Sequence, residues 1–588
     1  MDSKHVTEST SGQKDIQKTW WKEAIIYQIY PRSFQDSDGD GIGDLNGITS
    51  RLDYIQSLGV DIIWLNPIFL SPNDDNGYDI SDYREIMREF GTMEDFDRLL
   101  KEIHKREMRL VLDLVVNHTS DEHPWFEEAR KSRHNPYYNY YHWWPAEKGE
   151  PPLRLSYFDE EGNAWMYNKS TDSYYLHYFS RKQPDLNWEN PEVRQEIFDM
   201  MRFWFDKGID GFRMDSISLI AKDPSFPLID SKKYPDIFSF YAKEPRLHLY
   251  LHEMNRQVLS KYDCMSVGEG SAVMVDDVAK FVDPAREELN MLYHFDAARI
   301  RNTTLPDNPE SGIDYSLIAL KKMFTEWDKA VDKGWPSIYL GNHDQPRMVS
   351  RFGSDKDEFR ALSAKMLITF LLTMRGTPYW FAGDEIGMRN IRFDRIEDYN
   401  DIDTINRYKK AKAEGKDPQA VLDEQKETGR DNARTPFQWD RSPEAGFTAG
   451  TPWLKVNPDY TWINVADEEK DPTSILNYFK KVVSFRKENP SLIYGSYHLL
   501  DAENPQSYTF LRKTGADTYL IMLNFSPKAA ISTPGIDMSN AHVLLDNYGD
   551  RSHMAPQKDI TLRPFEAIVF QLNHPVYESF IDSLDLLE

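Results

Sequence analysis

Short apolar segments alternate with longer amphipathic segments along most of the chain. Eight segments rich in β-branched and aromatic residues lack the polar alternation of a half-exposed sheet; these are residues 24–31, 61–67, 109–118, 211–216, 264–270, 292–296, 337–344 and 377–385. Continuous apolar strands are typical of a parallel sheet that is covered on both faces. The pattern therefore predicts eight buried strands.

Helix boundary signals occur between these segments. Asn190 and Pro191 are typical of an N-cap and a first helical position, and Gly208 is typical of a helix end just before the fourth strand. Thr92 with Asp95 predicts a capping box, and residues 248–261 form a further amphipathic segment. Eight strands that alternate with helices predict an α/β fold, a (β/α)₈ TIM barrel, over residues 20–118 and 190–502.

Three stretches fall outside this alternation. Residues 119–189 are rich in Tyr, Trp, His and Asn and lie after strand three, so they predict an inserted subdomain. From residue 503 to residue 588 short alternating strands with turn residues predict a C-terminal antiparallel β-sandwich domain. Residues 1–19 are polar without periodicity and predict a disordered tail.

Composition limits the class of partner. The net charge is −26, with 70 basic and 96 acidic residues, which disfavours binding to nucleic acid or to anionic membranes because both need a positive surface. No apolar run approaches the roughly 18 residues of a membrane span, and the first residues lack the apolar core of a signal peptide. The single cysteine excludes an internal disulfide. We expect a cytoplasmic monomer that binds a small neutral molecule.

Polar residues gather where the predicted strands end, which is where a barrel carries its chemistry. They are Asp75 and Tyr78 after strand two, Asn117 and His118 at strand three, Arg213 and Asp215 at strand four, Glu269 at strand five, and His343 and Asp344 at strand seven. Three carboxylates converge at one end of the barrel, without cysteine and with few histidines to bind a metal. This arrangement suggests glycoside hydrolysis, in which one acid attacks the sugar and another protonates the departing oxygen.

The two acid roles require different surroundings. Strand alternation places Arg213 and Asp215 on one face, so the guanidinium is expected to lower the pKa of Asp215 and keep this nucleophile ionised. A general acid must instead keep its proton near neutral pH. Because the neighbours of Glu269 in the sequence are small and uncharged, we expect Glu269 to lack a direct cationic partner.

Four ordered motifs, "DLVVNH", "GFRMD", "VGEG" and "GNHDQPR", resemble the signature regions of the α-amylase superfamily of glycoside hydrolases. The segments "QPDLNW" and "GRDNARTPFQW" are similar to those of oligo-1,6-glucosidases, maltases and sucrose isomerases. The resemblance extends over essentially the whole chain from Trp20 onward. It implies the same barrel, a covalent glycosyl-enzyme intermediate, retained anomeric configuration and carboxyl groups about 5–5.5 Å apart.

The resemblance also implies a role for individual residues. Asp215 would be the nucleophile, Glu269 the acid/base, and Asp344 a third acid that holds the sugar and favours its distorted form. Ser216 would face the leaving group. The pocket for the terminal glucose would be formed by Asp75, Tyr78, His118, Phe179, Gln183, Arg213, His343 and Arg430, with Tyr78 stacking on the sugar ring.

An acidic loop, "DSDGDGIGD", predicts a cation site. Asp36, Asp38, Asp40 and Asp44, with the Ile42 carbonyl, repeat the first half of an EF-hand ligand spacing, although no glutamate follows at the twelfth position. The alternative is an acidic turn. The resemblance to glucosidases that carry calcium at such a loop favours a structural Ca²⁺.

The glycosidic linkage and the reaction outcome stay open between alternatives. In similar enzymes valine after the nucleophile accompanies α-1,6 specificity and threonine accompanies α-1,4 hydrolysis or sucrose isomerisation, whereas this chain has Ser216. Sucrose isomerases carry an "RLDRD"-type loop; here "RIRNT" keeps Arg299 and Arg301 within reach but lacks both acids. We therefore favour an exo-acting α-glucosidase for short α-glucosides over a sucrose isomerase. A catalytically inactive transporter heavy chain is disfavoured because all three acids are present.

Overall fold

A computed structural model describes residues 18–158, 162–234, 236–515, 517–552 and 557–572. Eight parallel strands form one sheet, in which strand one pairs with strands two and eight. Strands two to six pair in sequence, and strand seven pairs with strand eight. These barrel strands are Ile26–Ile29, Ile62–Leu65, Arg109–Val115, Gly211–Asp215, Met265–Glu269, Met291–Tyr293, Ser337–Ile338 and Thr377–Phe381.

Side chains bridge barrel strands six and seven. The Ser337 hydroxyl donates to the Leu292 carbonyl at 2.8 Å, and the Tyr339 hydroxyl donates to the His294 carbonyl at 2.5 Å. The predicted barrel is therefore confirmed. Strand seven is shorter than the predicted 337–344 because Asp344 folds back in a local turn, where its amide donates to the Asn342 side chain at 2.8 Å.

Helices connect the barrel strands, as the helix boundary signals in the sequence predicted. The Asn190 side chain caps its helix, Gly208 ends the same helix at φ 108°, and Thr92 and Asp95 form the capping box. The segment predicted at 248–261 is helical earlier, over Arg246–Gln257, because Val258 leaves the helical backbone region. The helices around the barrel include Leu45–Ser50, Leu52–Ser57, Met93–Lys105, Pro191–Lys207, Arg246–Gln257, Asp296–Thr303, Leu317–Ala330, Arg360–Thr373, Ile402–Ala413, Pro418–Thr428 and Ile475–Glu488.

The segment between barrel strand three and the helix Pro191–Lys207 contains its own small antiparallel sheet. Its strands are Trp143–Pro145, Trp165–Asn168 and Ser173–Leu176, with the last in the centre. A bridge between His118 and Asp185 ties the segment to the end of barrel strand three. The segment therefore lies beside the carboxyl ends of the barrel strands.

The C-terminal part is a β-sandwich. A five-stranded antiparallel sheet contains Ser496–Leu500, Ser507–Thr514, Asp517–Asn524, Ala567–Leu572 and Ala541–Asp546, and a second sheet contains Ala530–Ser532 and Ile560–Leu562. Leu511, Met522 and Phe570 of the first sheet pack with Ile560 and Leu562 of the second. The first strand precedes the predicted boundary at 503, because its strand character depends on pairing with Ser507–Thr514.

Residues 1–17 of the predicted tail and residues 573–588 of the predicted C-terminal domain lie outside the described residues. Among the residues that are described, no helix combines the length and the apolar content needed to cross a membrane.

Candidate active site

One buried guanidinium contacts the two carboxylates that the sequence predicts to be catalytic, Asp215 and Glu269. Arg213 Nη1 donates to Asp113 at 2.6 Å and to Asp215 at 2.8 Å, and Nη2 donates to Glu269 at 2.8 Å. Its Nε donates to the Tyr293 hydroxyl at 2.8 Å, and Nη2 contacts the same hydroxyl. All five N–H donors are therefore used. The parallel register sets Arg213 beside Asp113 of strand three and Val267 of strand five, so its planar fork reaches across three strands.

This geometry corrects the expectation that Glu269 lacks a direct cationic partner, which was wrong. The sequence places only small residues beside Glu269, but the sheet register brings Arg213 of the neighbouring strand to its carboxyl group. The charge beside Glu269 is therefore set by its neighbour across the sheet and not by its neighbours in the sequence.

Burial and the neighbouring acids still separate the two catalytic roles. Burial raises the pKa of Glu269 well above its usual value, and the Asp215 carboxylate raises it further against the opposing effect of Arg213. Burial also raises the pKa of Asp215 to about 6, although Arg213 lowers it. The arginine therefore offsets burial and does not depress the pKa of Asp215 below its ordinary value. Near neutral pH the proton resides on Glu269, and Asp215 is ionised.

Asp344 is held in its ionised form by two guanidinium groups, and it also contacts a histidine whose own pKa is lowered by burial to about 3. Arg434 Nη2 donates to Asp344 at 2.9 Å, Arg430 Nη1 donates at 3.3 Å, and His343 Nε2 lies 3.1 Å away. Burial opposes ionisation of this carboxyl, but the surrounding cationic groups hold its pKa well below the usual range. Asp344 is thus a fixed negative charge and not a proton carrier.

The inner end of the pocket is closed by a second network. Arg430 Nη2 donates to Asp75 at 3.3 Å, and its Nε donates to Asp401 at 2.7 Å. Gln183 donates to Asp75 at 3.2 Å and lies 3.2 Å from His118 Nε2. Burial raises the pKa of Asp75 to about 6 against the lowering effect of Arg430. Asp75, Gln183 and Arg430 therefore form a wall across the pocket.

The Tyr78 hydroxyl connects the hydrogen-bond network of Arg213 to His343, which lies beside Asp344. This hydroxyl donates to Asp113 at 2.9 Å, accepts from Asn66 at 2.7 Å and lies 2.6 Å from His343 Nε2. One face of the Tyr78 ring stacks on His343 with centroids 5.3 Å apart. The three contacts of the hydroxyl fix the orientation of the Tyr78 ring.

Phe179 belongs to an aromatic stack that leads away from His118. The Phe179 ring centroid lies 5.0 Å from that of His118 and 5.1 Å from that of Tyr157. Tyr157 stacks in turn on Phe238, with centroids 4.2 Å apart. The stack forms an apolar wall on one side of the pocket.

The two arginines predicted near the leaving group differ in position. Arg301 pairs with Asp314, and its Nε donates to the Arg351 carbonyl at 2.8 Å. Arg299 is 47% exposed at its side chain and lies 3.6 Å from Asp296, and its charge opposes the rise that burial causes in the pKa of Tyr157. Arg299 is therefore on the side of the aromatic stack, whereas Arg301 is engaged elsewhere.

Sequence reasoning missed several groups that contact the predicted site residues. Asp113 lies inside an apolar strand, where an acidic residue is itself a signal, and not at the strand end where barrels carry their chemistry. Arg434 lies within the quoted motif "GRDNARTPFQW" and received no role. No sequence motif marks Asp401 or Tyr293 as part of the site. Only the folded chain brings Asp401 to Arg430 and Tyr293 to Arg213.

The acidic loop fits a cation in its donor type and spacing. One carboxylate oxygen from each of Asp36, Asp38 and Asp40 lies within 4.8 Å of the others, as expected for oxygens about 2.3–2.6 Å from a shared Ca²⁺. Asp44 lies outside this group and caps the helix Leu45–Ser50 by accepting from the Gly47 amide at 2.7 Å. The Ile42 amide donates to Asp40 at 2.8 Å.

Known proteins share this architecture. Residues 28–495 match the family model described as "Alpha amylase, catalytic domain". The oligo-1,6-glucosidase of Parageobacillus thermoglucosidasius is 51% identical over 95% of this chain and 100% of its own length, and that of Bacillus cereus is 49% identical over the same shares.

Solved structures of related enzymes have a similar fold. A trehalulose synthase variant in complex with Tris is 43% identical, with a TM-score of 0.90 over 94% of this chain and 100% of its own. The isomaltulose synthase of Protaminobacter rubrum is 42% identical, with a TM-score of 0.89 over 95% of this chain and 100% of its own. The chain belongs to the alpha-amylase family and is a glycoside hydrolase.

Proposed function

We propose that this enzyme releases glucose from the non-reducing end of short α-glucosides with retention of configuration. The observation that carries the proposal is the wall formed by Asp75, Gln183 and Arg430, which closes the pocket beyond the catalytic carboxylates. We expect one sugar ring to bind between this wall and Glu269, with no room for a longer chain behind it. Guanidinium and carboxylate groups are suited to paired hydrogen bonds with sugar hydroxyls at such an end.

The charges support a double displacement. Asp215, ionised near neutral pH, attacks the anomeric carbon while the proton of Glu269 passes to the departing oxygen. Glu269 then removes a proton from water, which attacks the glucosyl-enzyme and releases Asp215. Asp344 is close to the same pocket and permanently negative, so it stabilises positive charge on the sugar ring in both transition states.

Hydrolysis is favoured over sucrose isomerisation by the surroundings of the leaving group. Isomerisation requires the released fructose to stay bound. Of the two arginines available for this, Arg301 is paired with Asp314, and Arg299 is partly exposed without the flanking acids of the isomerase loop. The oligo-1,6-glucosidase relatives point to the same outcome, with α-1,6-linked oligosaccharides as the first substrates to test.

The loop at residues 36–44 is proposed to bind one structural Ca²⁺. Asp36, Asp38 and Asp40 would hold the ion with the Ile42 carbonyl, whereas Asp44 caps the helix Leu45–Ser50, and no proposed catalytic acid belongs to the loop. A cytoplasmic monomer acting on a small neutral sugar remains the prediction from composition, and the network of hydrogen-bonding groups around one ring is suited to such a substrate.

Product analysis tests the function. The enzyme is incubated separately with isomaltose, maltose, sucrose, trehalulose and soluble starch, and the products are separated by anion-exchange chromatography. We expect free glucose from the short α-1,6 substrate, with the α anomer seen first by proton NMR. Asp215→Asn serves as the inactive control. Isomaltulose or trehalulose as the main product from sucrose would favour the isomerase alternative, and internal cleavage of starch would contradict the closed pocket.

A further inference from the structure

Ser216, directly after the nucleophile, has a backbone conformation that residues other than glycine rarely adopt. Its φ is 42° and its ψ is 31°, and the residue is buried, with 3% of its surface exposed. Left-handed conformations at non-glycine residues are costly and persist where the surrounding structure enforces them, often at functional sites. The conformation therefore calls for a structural reason.

The backbone amide of Ser216 points at the acid/base. It donates to Glu269 Oε2 at 2.8 Å, the same oxygen that accepts from Arg213 Nη2 at 2.8 Å. For the other oxygen, Oε1, the nearest described hydroxyl is that of Ser271 at 3.5 Å. An oxygen that accepts two N–H groups in this way is the unprotonated oxygen of a carboxylic acid. Two N–H donors at Oε2 favour Oε1 as the oxygen that carries the acidic proton, and Glu269 is also hydrogen-bonded to the Asp215 carboxyl group.

We propose that the Ser216 backbone amide is a positioning group for Glu269. The left-handed turn directs its N–H at Oε2, which favours Oε1 as the oxygen that donates the proton to the leaving group. When the Oε1–H bond breaks, the proton goes to the glycosidic oxygen, which also takes the electron pair of the breaking bond to the anomeric carbon. Asp215 forms the new bond to that carbon, and the negative charge left on Glu269 is shared with Oε2, where the amide stabilises it.

This arrangement couples the two catalytic acids through one peptide bond. Asp215 and Ser216 are consecutive, so the turn that presents the nucleophile also fixes the acid/base on the neighbouring strand. The inference rests on the proposed glucosidase mechanism and adds the group that orients its proton donor.

Any effect on the titration of Glu269 has to be separated from those of its other neighbours. The groups that face it include Arg213 and Asp215 on strand four, Asp113 on strand three, Tyr293 on strand six, Tyr339 and Asp344 beyond strand seven, and Tyr157 of the insertion. The test therefore changes only the amide and leaves these side chains in place.

The decisive variant replaces the Ser216 amide with an ester, introduced as the hydroxy-acid analogue of serine by nonsense suppression. Donation to a carboxylate favours its charged form, so loss of the N–H raises the pKa of Glu269. We expect the alkaline limb of the kcat/KM profile to move up by about one pH unit. The acid limb, which reports the nucleophile, is expected to move less. An alkaline limb that coincides with that of the wild type would overturn the inference.

Two further measurements keep the inference testable if the ester variant does not fold. Ser216→Gly retains the amide and removes only the side chain, so its alkaline limb is expected at the wild-type pH whatever its rate. In the wild-type enzyme labelled with ¹⁵N-serine, the amide resonance that disappears in Ser216→Gly is expected to titrate with the alkaline limb. A resonance that does not follow this titration would refute the contact.

These outcomes are distinct from failure of the proposed function. A wild-type enzyme that does not hydrolyse 4-nitrophenyl α-D-glucoside would reject the glucosidase itself. An active wild-type enzyme whose Ser216 resonance is insensitive to Glu269 would reject only the role of the amide.

Discussion

At the scale of single residues, the site is governed by an imbalance of buried charge. Arg213 is one cation surrounded by Asp113, Asp215 and Glu269, and it is entirely buried. One cation cannot balance three carboxylates in a dry pocket, so a proton stays within the group. Because the carboxyls are coupled, each limb of the pH profile depends on the neighbouring carboxyl groups as well as on the residue that dominates it.

Replacing Asp113 tests this balance. Asp113→Asn keeps a hydrogen-bond acceptor for Arg213 but removes a negative charge that raises the pKa of Asp215. The nucleophile should then ionise more easily, so the acid limb of kcat/KM moves to lower pH than in the wild type, where the pKa of Asp215 is about 6. Initial rates across a buffered pH series provide the measurement. Asp394→Asn, at a fully exposed carboxylate paired with Lys426, is the control. An acid limb that stays in place would show that Asp113 does not influence the nucleophile.

Arg430 offers a second test at this scale. Arg430→Ala removes the group that bridges Asp75, Asp344 and Asp401, and we expect KM to rise and kcat to fall together. Binding energy at the closed end of the pocket contributes to distortion of the reacting ring, so both constants respond. Loss of these charge-assisted bonds corresponds to roughly a 10- to 100-fold decrease in kcat/KM.

Two variants provide the comparison for Arg430. Arg430→Lys keeps the charge without the planar fork and should lose less activity than the alanine variant. Arg407→Ala, on the helix Ile402–Ala413 and 39% exposed at its side chain, should keep wild-type kinetics. If Arg430→Ala raised KM with kcat unchanged, the wall would contribute binding but no distortion.

Residues at strand ends could be predicted from the sequence, and residues reached across the sheet could not. Asp215, Glu269 and Asp344 follow apolar segments, and a (β/α)₈ barrel brings the residues at the carboxyl ends of its strands to one end of the fold. The partner of Glu269 was predicted wrongly because the sequence shows what precedes and follows it, whereas the register decides what lies beside it. Asp401 is 29 residues from Arg430 in the chain and has no pattern of its own. Its role depends on a loop path that hydrophobic periodicity does not encode.

At the scale of elements, the acidic loop connects the first barrel strand to a distant segment. The Asp36 amide donates to the Phe447 carbonyl at 3.0 Å, and the Trp453 amide donates to the Gly41 carbonyl at 3.0 Å. Gly41 has φ +94°, and a Cβ there would lie 1.8 Å from the Thr451 carbonyl oxygen. The loop can therefore support residues 446–453 only while its own backbone is held in this shape.

Cation removal should accordingly affect stability before activity. A ligand that binds only the folded state raises the free energy of unfolding in proportion to the logarithm of its concentration over Kd. We expect chelation to lower Tm, Ca²⁺ to restore it, and kcat measured well below Tm to change little. Differential scanning fluorimetry with and without Ca²⁺ gives the shift. Asp38→Asn should weaken the response to Ca²⁺, and Asp394→Asn should preserve it. A large loss of kcat with Tm unchanged would assign the loop a different role.

At the scale of the whole molecule, the buried Arg512 joins the C-terminal sandwich to the barrel, and the buried Arg486 of the barrel donates to the same Leu492 carbonyl as Arg512. Arg512 Nη1, from the five-stranded sheet, donates to the Thr373 and Leu492 carbonyls at 2.6 and 2.7 Å, and Nη2 donates to the Gly495 carbonyl at 2.7 Å. Arg486 Nη1 donates to the Leu372 and Met374 carbonyls at 2.8 and 2.9 Å. Phe370 packs on Tyr508 beside them, with ring centroids 5.2 Å apart.

Arg512→Met tests whether this junction makes the barrel and the sandwich unfold together. The substitution keeps an apolar stem but leaves buried carbonyls without donors, and each unsatisfied group costs about 1–3 kcal/mol. We expect Tm, measured at one fixed heating rate because unfolding of large proteins is often irreversible, to fall by several degrees. Arg441→Met, at a surface pair with Asp467, is the matched control and should leave Tm within error of the wild type. The active site is built from barrel strands, so the glucosidase activity of the folded variant should persist. Calorimetry would show whether the variant unfolds in one transition or in two. Two transitions would mean that Arg512 couples the unfolding of the barrel to that of the sandwich. An unchanged Tm would mean that Phe370 and Tyr508 suffice to hold the barrel and the sandwich together.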